Sequence, residues 1–332
     1  MKAPQNIQDI TFESHDAPLA PAKAWEIESF LLKIFEYGDY SFRSALTAAY
    51  HKTFKYHIHI ARHQDKLIAA AAAIISTNQY PTAIVAPIAV HHHCRNLGIA
   101  TKLIENLLQH LHQLNTTAAY IAAKPENRAR KLYQRLGFKP TSGIVMKYEF
   151  QNVTTSDIAL PTDQNSLSIR PALWSDYPAI SALMVSPHST CCLNYTHDIY
   201  SAAYFPVNRF LSLFPKLFKT SIAANVIETG PDHNIVGFCS AHKPTAQPKS
   251  HIIELDFFTC DDFQRSAARL VQTTLNTLKA SAAHKIICKT PDIDTHKHHY
   301  LEQLNFKRTL TEPDALTITS HCHNLHLYEL SR

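Results

Sequence analysis

The sequence predicts a mixed α/β protein made of two domains that repeat one order of elements. Strand-like and helix-like patterns alternate along the chain, as they do in mixed α/β domains. A polar segment at residues 151–166, which contains Pro161, divides the 332 residues into two halves of domain size. The order of elements before this segment recurs after it, and such recurrence indicates a duplication.

The first half is predicted to alternate strands and helices. Apolar residues at helical spacing predict a helix over 23–36, and period-two alternation predicts a strand over 56–62. Further strands are predicted at 67–76, 82–90 and 118–122, and further helices at 97–114 and 126–136. Gly137 follows the last helix, where a left-handed residue commonly ends a helix.

The second half restarts the pattern after the predicted linker. We expect strands at 167–170, 234–241, 251–259 and 285–289, and helices at 175–184, 264–280 and 297–304. The segment 195–219 is rich in aromatic residues and leucine and has no counterpart in the first half. It is interpreted as an insertion.

Composition excludes several protein classes. Six glycines, where an average of ~7% would give about 23, argue against collagen-like or glycine-rich disordered chains. The longest apolar run, Leu67–Ile75, is shorter than the ~20 residues of a membrane-spanning helix, and the polar N-terminus does not resemble a secretory signal. Seven cysteines without a CxxC pair suit reduced thiols, so we expect a cytoplasmic protein with no membrane partner.

Charge differs between the halves. Residues 1–150 carry 17 Lys and Arg against 11 Asp and Glu, whereas residues 151–332 carry 15 against 16. The basic first half fits an anionic ligand. The excess is too small and too scattered to indicate a nucleic-acid partner.

Two segments of the first half carry candidate chemistry. At Arg95–Ala100 a strand turns directly into a helix, and a helix start binds anions where side chains leave its N–H groups accessible. Gly98 lies at that start, although a glycine in an ordinary turn explains the motif equally well. The second segment, Pro125–Phe138, is a short basic helix with Tyr133 on its apolar face, and it could also be a capped surface helix.

Together these segments resemble the GNAT acetyltransferase superfamily. Its signature is a strand that ends in Val-His, then Arg-x-x-Gly-x-Gly/Ala at a helix start, and later an Ala-x-x-Leu-Tyr-x-x-x-Gly-Phe helix. The corresponding residues are Val90-His91, Arg95–Ala100 and Ala129–Phe138. The resemblance covers roughly residues 9–150.

The resemblance implies a fold of two tandem GNAT-like domains, each a mixed, mostly antiparallel central sheet flanked by helices. A catalytic domain would span residues 1–150, a linker 151–166 and a degenerate domain 167–332. It also implies transfer of an acetyl group from acetyl-CoA to a primary amine of a small molecule or protein. A non-catalytic acyl-CoA-binding or regulatory protein is the alternative, and a longer acyl-CoA donor is a third possibility.

Roles for individual residues follow from the same resemblance. The backbone of Ile88, Ala89 and Val90 would pair with the pantetheine arm, and Tyr133 would protonate the leaving thiolate. A backbone N–H would stabilise the oxyanion. The pyrophosphate would be held by the amides of Arg95, Asn96, Leu97, Gly98, Ile99, Ala100 and Thr101.

Two positions depart from the family pattern. The family usually places Asn seven residues before the tyrosine, where this chain has Glu126 followed by Asn127. Either the helix start shifts and Asn127 contacts CoA, or that contact is lost. The predicted strand at 82–90 also lacks the Glu that often acts as base, so His57, His59 or a water chain is the candidate, because histidine titrates near neutral pH.

The second half is predicted to have lost CoA binding. Its loop Cys260–Ala268 places Arg265 or Ser266 where Gly98 stands, and Asp261 and Asp262 near the expected pyrophosphate, which carboxylates would repel. Leu301 takes the place of the tyrosine.

No metal is expected. The histidines at 91–93 would point to opposite faces if they continued the strand, and the groups at 296–299 and 321–323 also lack zinc spacing. Glu254 and Asp256 lie two apart on a predicted strand. They would either receive a cationic substrate or form an exposed pair at a sheet edge.

Overall fold

The computed structural model describes residues 4, 6–35, 42–47, 54–77, 81–150, 167–186, 188–205, 217, 220–229, 234–244, 251–278, 285–318 and 320–331. The predicted linker lies outside these residues, as does most of the proposed insertion. Two compact units are distinguished, the first comprising Met1–Lys139, Met146–Ile158 and Trp174–Pro178, and the second Pro140–Val145, Ala159–Leu173 and Ala179–Arg332. The domain limits drawn from the sequence stay a prediction.

The first half of the chain forms one sheet with helices along it. Its elements are β1 (Thr11–Asp16), α1 (Pro21–Phe35), α2 (Phe42–Leu46), β2 (Lys55–His63), β3 (Lys66–Ile75), β4 (Thr82–Val90), α3 (Ile99–Gln113), β5 (Ala118–Ala122), α4 (Arg128–Arg135), β6 (Lys139–Ser142) and β7 (Val145–Glu149). Within the described residues the strands form a seven-stranded sheet in the order β1-β2-β3-β4-β5-β7-β6. Strands β1 to β4 pair antiparallel, and β4 pairs parallel with β5.

The second half forms another sheet. Its elements are β8 (Ser168–Pro171), α5 (Tyr177–Val185), β9 (Cys192–Asn194), β10 (Ile199–Tyr200), β11 (Ser221–Glu228), β12 (Ile235–His242), β13 (Ile252–Thr259), α6 (Ala267–Thr277), β14 (Lys285–Pro291), α7 (Thr295–Gln303), β15 (Lys307–Ile318) and β16 (His321–Ser331). The described strands pair in the order β8-β11-β12-β13-β14-β16-β15, and β9 pairs with β10 separately.

Both sheets follow the same plan. If β8, β11, β12, β13, β14, β16 and β15 are matched to β1, β2, β3, β4, β5, β7 and β6, the two strand orders are identical. In each sheet the described parallel pairing is confined to three residue pairs, between β4 and β5 and between β13 and β14. The predicted mixed, mostly antiparallel sheets flanked by helices are therefore confirmed.

Strand β3 lies at the centre of the first core. Its alanines at positions 69–73 are fully buried. Ala69, Ala71 and Ala73 pack in the cluster that contains α3, whereas Ala70 and Ala72 pack in the cluster that contains α1. A strand covered on both faces is apolar throughout, which explains why the sequence shows a continuous apolar run here.

Helix α4 ends as the sequence predicted. Gly137 has a φ of +96°, and the N–H of Phe138 donates to the carbonyl of Tyr133 at 3.0 Å, which satisfies a carbonyl at the helix end. Helix α7 ends in the same way with Asn305, whose φ is +64°. Asparagine is among the few other residues that tolerate this conformation.

Replacement of Gly137 by alanine is expected to lower the free energy of unfolding by about 1–2 kcal/mol, because a left-handed φ penalises a Cβ atom. That Cβ would also lie 3.0 Å from Cε2 of Tyr148. Gly137→Asn meets the same ring but tolerates the left-handed φ, so it should cost less. Urea-induced unfolding of both variants measures the difference, and equal losses would contradict this explanation.

Candidate active site

Strand β4 contains one extra residue in its pairing with β3. Val85 pairs with Ala73, and the next pair joins Ile88 to Ala71, so β4 advances three residues where β3 advances two. Pro87, which has no N–H to donate, lies in this interval. Such a bulge bends a strand and increases its twist.

The bulge changes which side chains of β4 face α3. Ala83 and Val85 before it and Ile88 and Val90 after it all belong to the α3 cluster, whereas Ala89 belongs to the α1 cluster. Without the extra residue, strict alternation would turn Ile88 toward α1. The bulge therefore sets the orientation of the last three residues of β4.

The last residues of β4 continue past its partner β5. Among the described residues, parallel pairing stops at Ile84 and Tyr120. The predicted pantetheine-binding residues Ile88, Ala89 and Val90 lie beyond that point, while their other edge pairs with β3. The structure thus brings these three residues to an edge where an extended ligand could form backbone hydrogen bonds.

The predicted phosphate loop joins β4 to α3 through a 3-10 turn at His92–Cys94. Asn96 and Gly98 have left-handed φ values of +66° and +77°, and Gly98 is the N-cap residue of α3. A Cβ on Gly98 would lie 3.7 Å from Cδ1 of Ile7, an ordinary contact. The backbone conformation, and not lack of space, therefore requires glycine at this position.

The start of α3 leaves N–H groups available. The carbonyl of Gly98 accepts from the N–H of Lys102, so the N–H groups of Ile99, Ala100 and Thr101 precede the first helical hydrogen bond. Arg95 donates from Nε to the carbonyl of Val90 at 3.2 Å, which holds its guanidinium beside the end of β4. An anion at this helix start would meet free N–H groups and the positive end of the helix dipole.

Tyr133 lies on the buried face of α4 and is 7% exposed. Its ring packs with Phe138 in the α3 cluster, with centroids 6.1 Å apart. Burial raises the pKa of Tyr133 to about 12. The hydroxyl therefore stays protonated throughout the neutral range and can act as a hydrogen-bond donor.

Asn127 caps α4, which begins at Arg128 and not at the predicted Glu126. The Oδ1 of Asn127 accepts from the N–H of Ala129 at 2.9 Å. Whether Asn127 contacts CoA or that contact is lost stays a prediction. The capping bond uses the side-chain oxygen, so a ligand would be recognised through the Nδ2 group.

Comparison with known proteins gives the same assignment for this part of the chain. Residues 21–138 match the acetyltransferase (GNAT) family. No curated protein matches the sequence.

Solved acetyltransferases resemble half of the chain. An N-acetyltransferase from Staphylococcus aureus is 17% identical with a TM-score of 0.40, over 50% of this chain and 98% of that one. A Salmonella typhimurium protein assigned as an acetyltransferase and solved with its cofactor acetyl-CoA is 14% identical, with a TM-score of 0.40 over 50% and 94%. A GNAT-family acetyltransferase from Streptococcus pneumoniae is 12% identical, with a TM-score of 0.40 over 50% and 98%.

The GNAT match covers strands β2 to β5 and helices α1 to α4, which includes the β4 bulge, the α3 start and Tyr133. The second sheet, which lies outside this match, repeats the strand order of the first. None of the helices in the described residues is both long and apolar enough to cross a membrane.

The two candidate bases in the GNAT domain, His57 and His59, lie in one hydrogen-bonded cluster. His57 places Nδ1 2.6 Å from Oδ1 of Asp16 and Nε2 3.1 Å from both Nε2 of His59 and Oγ of Ser14. His110 of α3 stacks on His57 with ring centroids 3.5 Å apart and planes 9° apart. Sequence reasoning missed the contributions of β1 and α3, because no local pattern reports a contact between distant elements.

Among the described residues, one group could hold a metal ion: Asp16, His57 and His110. Their potential ligand atoms all lie within 4.8 Å of one another. A nitrogen lone pair lies in the plane of its ring. The rings of His57 and His110 are stacked, so their nitrogen lone pairs lie in two separate planes. They cannot both be directed at one ion ~2.0–2.1 Å from each nitrogen unless one ring turns. The expectation of no metal stays a prediction.

The side chains of the histidines at 91–93 were expected to point to opposite faces, but in the structure their rings lie together. Their ring centroids lie 3.9–5.5 Å from one another, because the strand ends at Val90 and a 3-10 turn follows. The assumption of a continuing strand was therefore wrong.

Acid should destabilise the protein through His59. Burial, together with the neighbouring His57 and His110, lowers the pKa of His59 to about 4, whereas an imidazole in an unfolded chain titrates near ~6.5. Between these values the unfolded state binds more protons, so the free energy of unfolding falls as the pH falls. The loss is at most about 1.4 kcal/mol per pH unit for one group.

His59→Gln should therefore show a shallower loss of unfolding free energy between pH 6.5 and 4 than the wild type does. Urea-induced unfolding at several pH values measures this. His296→Gln, at an exposed position, serves as the control and should keep the wild-type slope. If the unfolding free energies of His59→Gln and the wild type fall in parallel with pH, His59 is not the source of the acid destabilisation.

Proposed function

We propose that the protein transfers an acetyl group from acetyl-CoA to a primary amine of a small molecule or protein, using the GNAT domain in its first half. The passage of β4 into α3 carries this proposal. Beyond Ile84 the strand has passed the end of its described pairing with β5, and at Gly98 the chain takes the left-handed conformation that starts α3. An extended edge followed by a helix start suits a ligand with an amide-bearing arm and a pyrophosphate.

The cofactor contacts follow from this geometry. The backbone of Ile88 to Val90 would pair with the pantetheine amides, and Nδ2 of Asn127 would donate to a cofactor carbonyl or phosphate. The pyrophosphate would receive hydrogen bonds from the amides of residues 96–101, of which those at 99–101 precede the first helical hydrogen bond. The predicted contribution of the Arg95 amide is corrected, because this N–H donates to the carbonyl of His92. The basic balance of residues 1–150 supports an anionic cosubstrate.

Acetyl transfer needs a neutral amine, an oxyanion donor and an acid. The nitrogen lone pair attacks the thioester carbonyl, and a backbone N–H of β4 stabilises the oxyanion. Collapse of the tetrahedral intermediate breaks the C–S bond and expels a thiolate, to which Tyr133 donates its proton. Strand β4 contains no carboxylate, so the amine proton leaves through water or through an imidazole, for which His57 and His59 are the candidates.

The second GNAT-like domain is proposed to be a pseudo-domain. Its helix α6 has Ser266 at the N-cap position, which corresponds to Gly98 in α3.

The proposed location is the cytoplasm. All seven cysteines are unpaired, which fits a reducing compartment.

Removal of the Tyr133 hydroxyl tests the chemistry. Tyr133→Phe keeps the ring in the core and should lower kcat by about 10²–10⁴-fold while CoA affinity is unchanged. Thiol release from acetyl-CoA across a panel of amines measures the rate. Tyr56→Phe removes the hydroxyl of another buried tyrosine, one that has no hydrogen-bond partner among the described residues, and should leave the rate unchanged.

A Tyr133→Phe variant as fast as the wild type would refute the role of this residue. A wild type that binds CoA but acetylates no amine would favour the non-catalytic acyl-CoA-binding alternative. Turnover with longer acyl-CoA donors in the same assay identifies a different acyl group.

Replacement of Gly98 tests the phosphate site. Gly98→Leu should weaken CoA binding by at least about tenfold, because a leucine resists the left-handed φ and adds a side chain at the helix start. Ser266→Gly in the second domain is the matched variant and should create no CoA site. Titration calorimetry measures both, and undiminished binding to Gly98→Leu would place the cofactor elsewhere.

A further inference from the structure

The second domain contains a counterpart of the proposed CoA cleft. The described parallel pairing of β13 with β14 ends at Glu254 and Ile287, and both strands continue beyond it, to Thr259 and Pro291. A 3-10 turn at Asp261–Ser266 then leads into α6, as the turn after β4 leads into α3. A ligand held as in the first domain would lie at the ends of these two strands.

A segment of the chain itself is bound at this place. Asp261, directly after β13, accepts the N–H of Ser189 at 3.1 Å and its hydroxyl at 2.7 Å. Asp294, after β14, accepts the N–H groups of Cys191 at 2.5 Å and Cys192 at 2.9 Å. Carboxylates that follow each of the two strands therefore hold consecutive parts of one segment.

The sheet itself holds the next residues. Asp256 of β13 accepts from the hydroxyl of Thr196 at 3.2 Å and from its N–H at 3.4 Å. Asn194 donates from Nδ2 to Oγ of Ser240 on β12 at 3.2 Å. The Ser189–Thr196 segment thus runs from the end of β13 to the surface of the sheet.

The middle of this segment, residues 190–194, is buried in the domain core, whereas Ser189 at its start is exposed and Thr196 at its end is partly exposed. Cys191 and Cys192 are fully buried, and Leu193 and Asn194 are 1% exposed. The chain then returns, and the N–H of Ser201 donates to the carbonyl of Cys191 at 2.7 Å. Nearly complete burial distinguishes this arrangement from a loop resting on the surface.

The charge at the cleft also favours the segment. Asp256 is 2% exposed, so neither expectation from the sequence, a cationic substrate site or an exposed pair, is correct for this residue. Lys297 is equally buried and places Nζ 3.8 Å from Oδ1 of Asp256. The lysine balances part of the buried negative charge, and donors of the segment bond to Oδ2 of Asp256 and to both oxygens of Asp294, which would otherwise be costly to bury. Oδ1 of Asp256 has no hydrogen-bond partner among the described residues and relies on the ion pair with Lys297.

We infer that the second domain keeps its cleft for its own chain: Ser189–Thr196 occupies, in cis, the position that a CoA thioester takes in the first domain, so the protein binds one CoA and not two. The identity of the excluded ligand rests on the proposed function, whereas the occupation of the cleft does not. An entering CoA would have to displace donors from three carboxylates and bring its phosphates near Asp261. An occupied cleft explains the loss of CoA binding better than the replacement of the N-cap glycine by Ser266 alone.

Cysteine labelling tests the occupation without reference to activity. With iodoacetamide and peptide mass spectrometry, Cys191 and Cys192 of the native wild type should react at least about 100-fold more slowly than the exposed Cys322. Asp294→Ala removes the acceptor of both amides and should speed labelling of Cys191 and Cys192 at least tenfold. Asp294→Asn keeps an acceptor oxygen and should have a smaller effect.

Cys239, buried in the core cluster that contains α6, reports whether a variant has unfolded. It should stay protected in Asp294→Ala if only the segment is released. Rapid labelling of Cys191 and Cys192 in the wild type, or unchanged labelling in a folded Asp294→Ala variant, would overturn the inference.

CoA stoichiometry separates this inference from the proposed function. Calorimetry should give one CoA per chain for the wild type and no second site for Gly98→Leu, whose single site should be at least about tenfold weaker. Two sites in the wild type, or a site in Gly98→Leu at which CoA slows the labelling of Cys191 and Cys192, would overturn the inference. No binding to the wild type, with both thiols protected, would refute the proposed function while supporting occupation of the second cleft in cis.

Discussion

Both clefts depend on a pair of neighbouring strands, one pair in each sheet, whose described parallel pairing covers three residue pairs and then ends. Backbone N–H and C=O groups past that point need partners, because an unpaired buried polar group is costly. In the first domain the bulged end of β4 can meet this need with an extended ligand. In the second domain, carboxylates that follow the two strands bind a buried chain segment instead. The same place in the two sheets, left to a ligand in one and filled by the chain in the other, underlies the difference that we propose between the domains.

Sequence patterns located the elements that local physics determines. The alanine-rich strand, the helix after Gly98 and the left-handed turn at Gly137 all follow from periodicity or from backbone preference. The bulge in β4 was not predicted, because pairing register depends on a partner strand that is distant in sequence. The cluster around His57 was only half visible for the same reason, since Asp16 and His110 come from other elements.

The second cleft also depends on contacts between residues that are distant in sequence. Asp261 was recognised as unsuited to a phosphate, but the sequence did not show what it binds instead, because Ser189 lies far away along the chain. The segment around Cys191 has no period-two pattern, so it was not predicted as a strand. Its order comes from tertiary hydrogen bonds, which override weak local preference.

The alanines of β3 have a mechanical consequence for the cofactor cleft. Because Ala69, Ala71 and Ala73 present only methyl groups to α3, that helix lies close against the sheet, and its first turn is held at a fixed height beside the end of β4. The interior is close-packed and does not compress to absorb added volume. The smallest side chains of the core therefore determine the distance between the start of α3 and the edge of β4. This distance in turn sets how long a ligand must be to contact both.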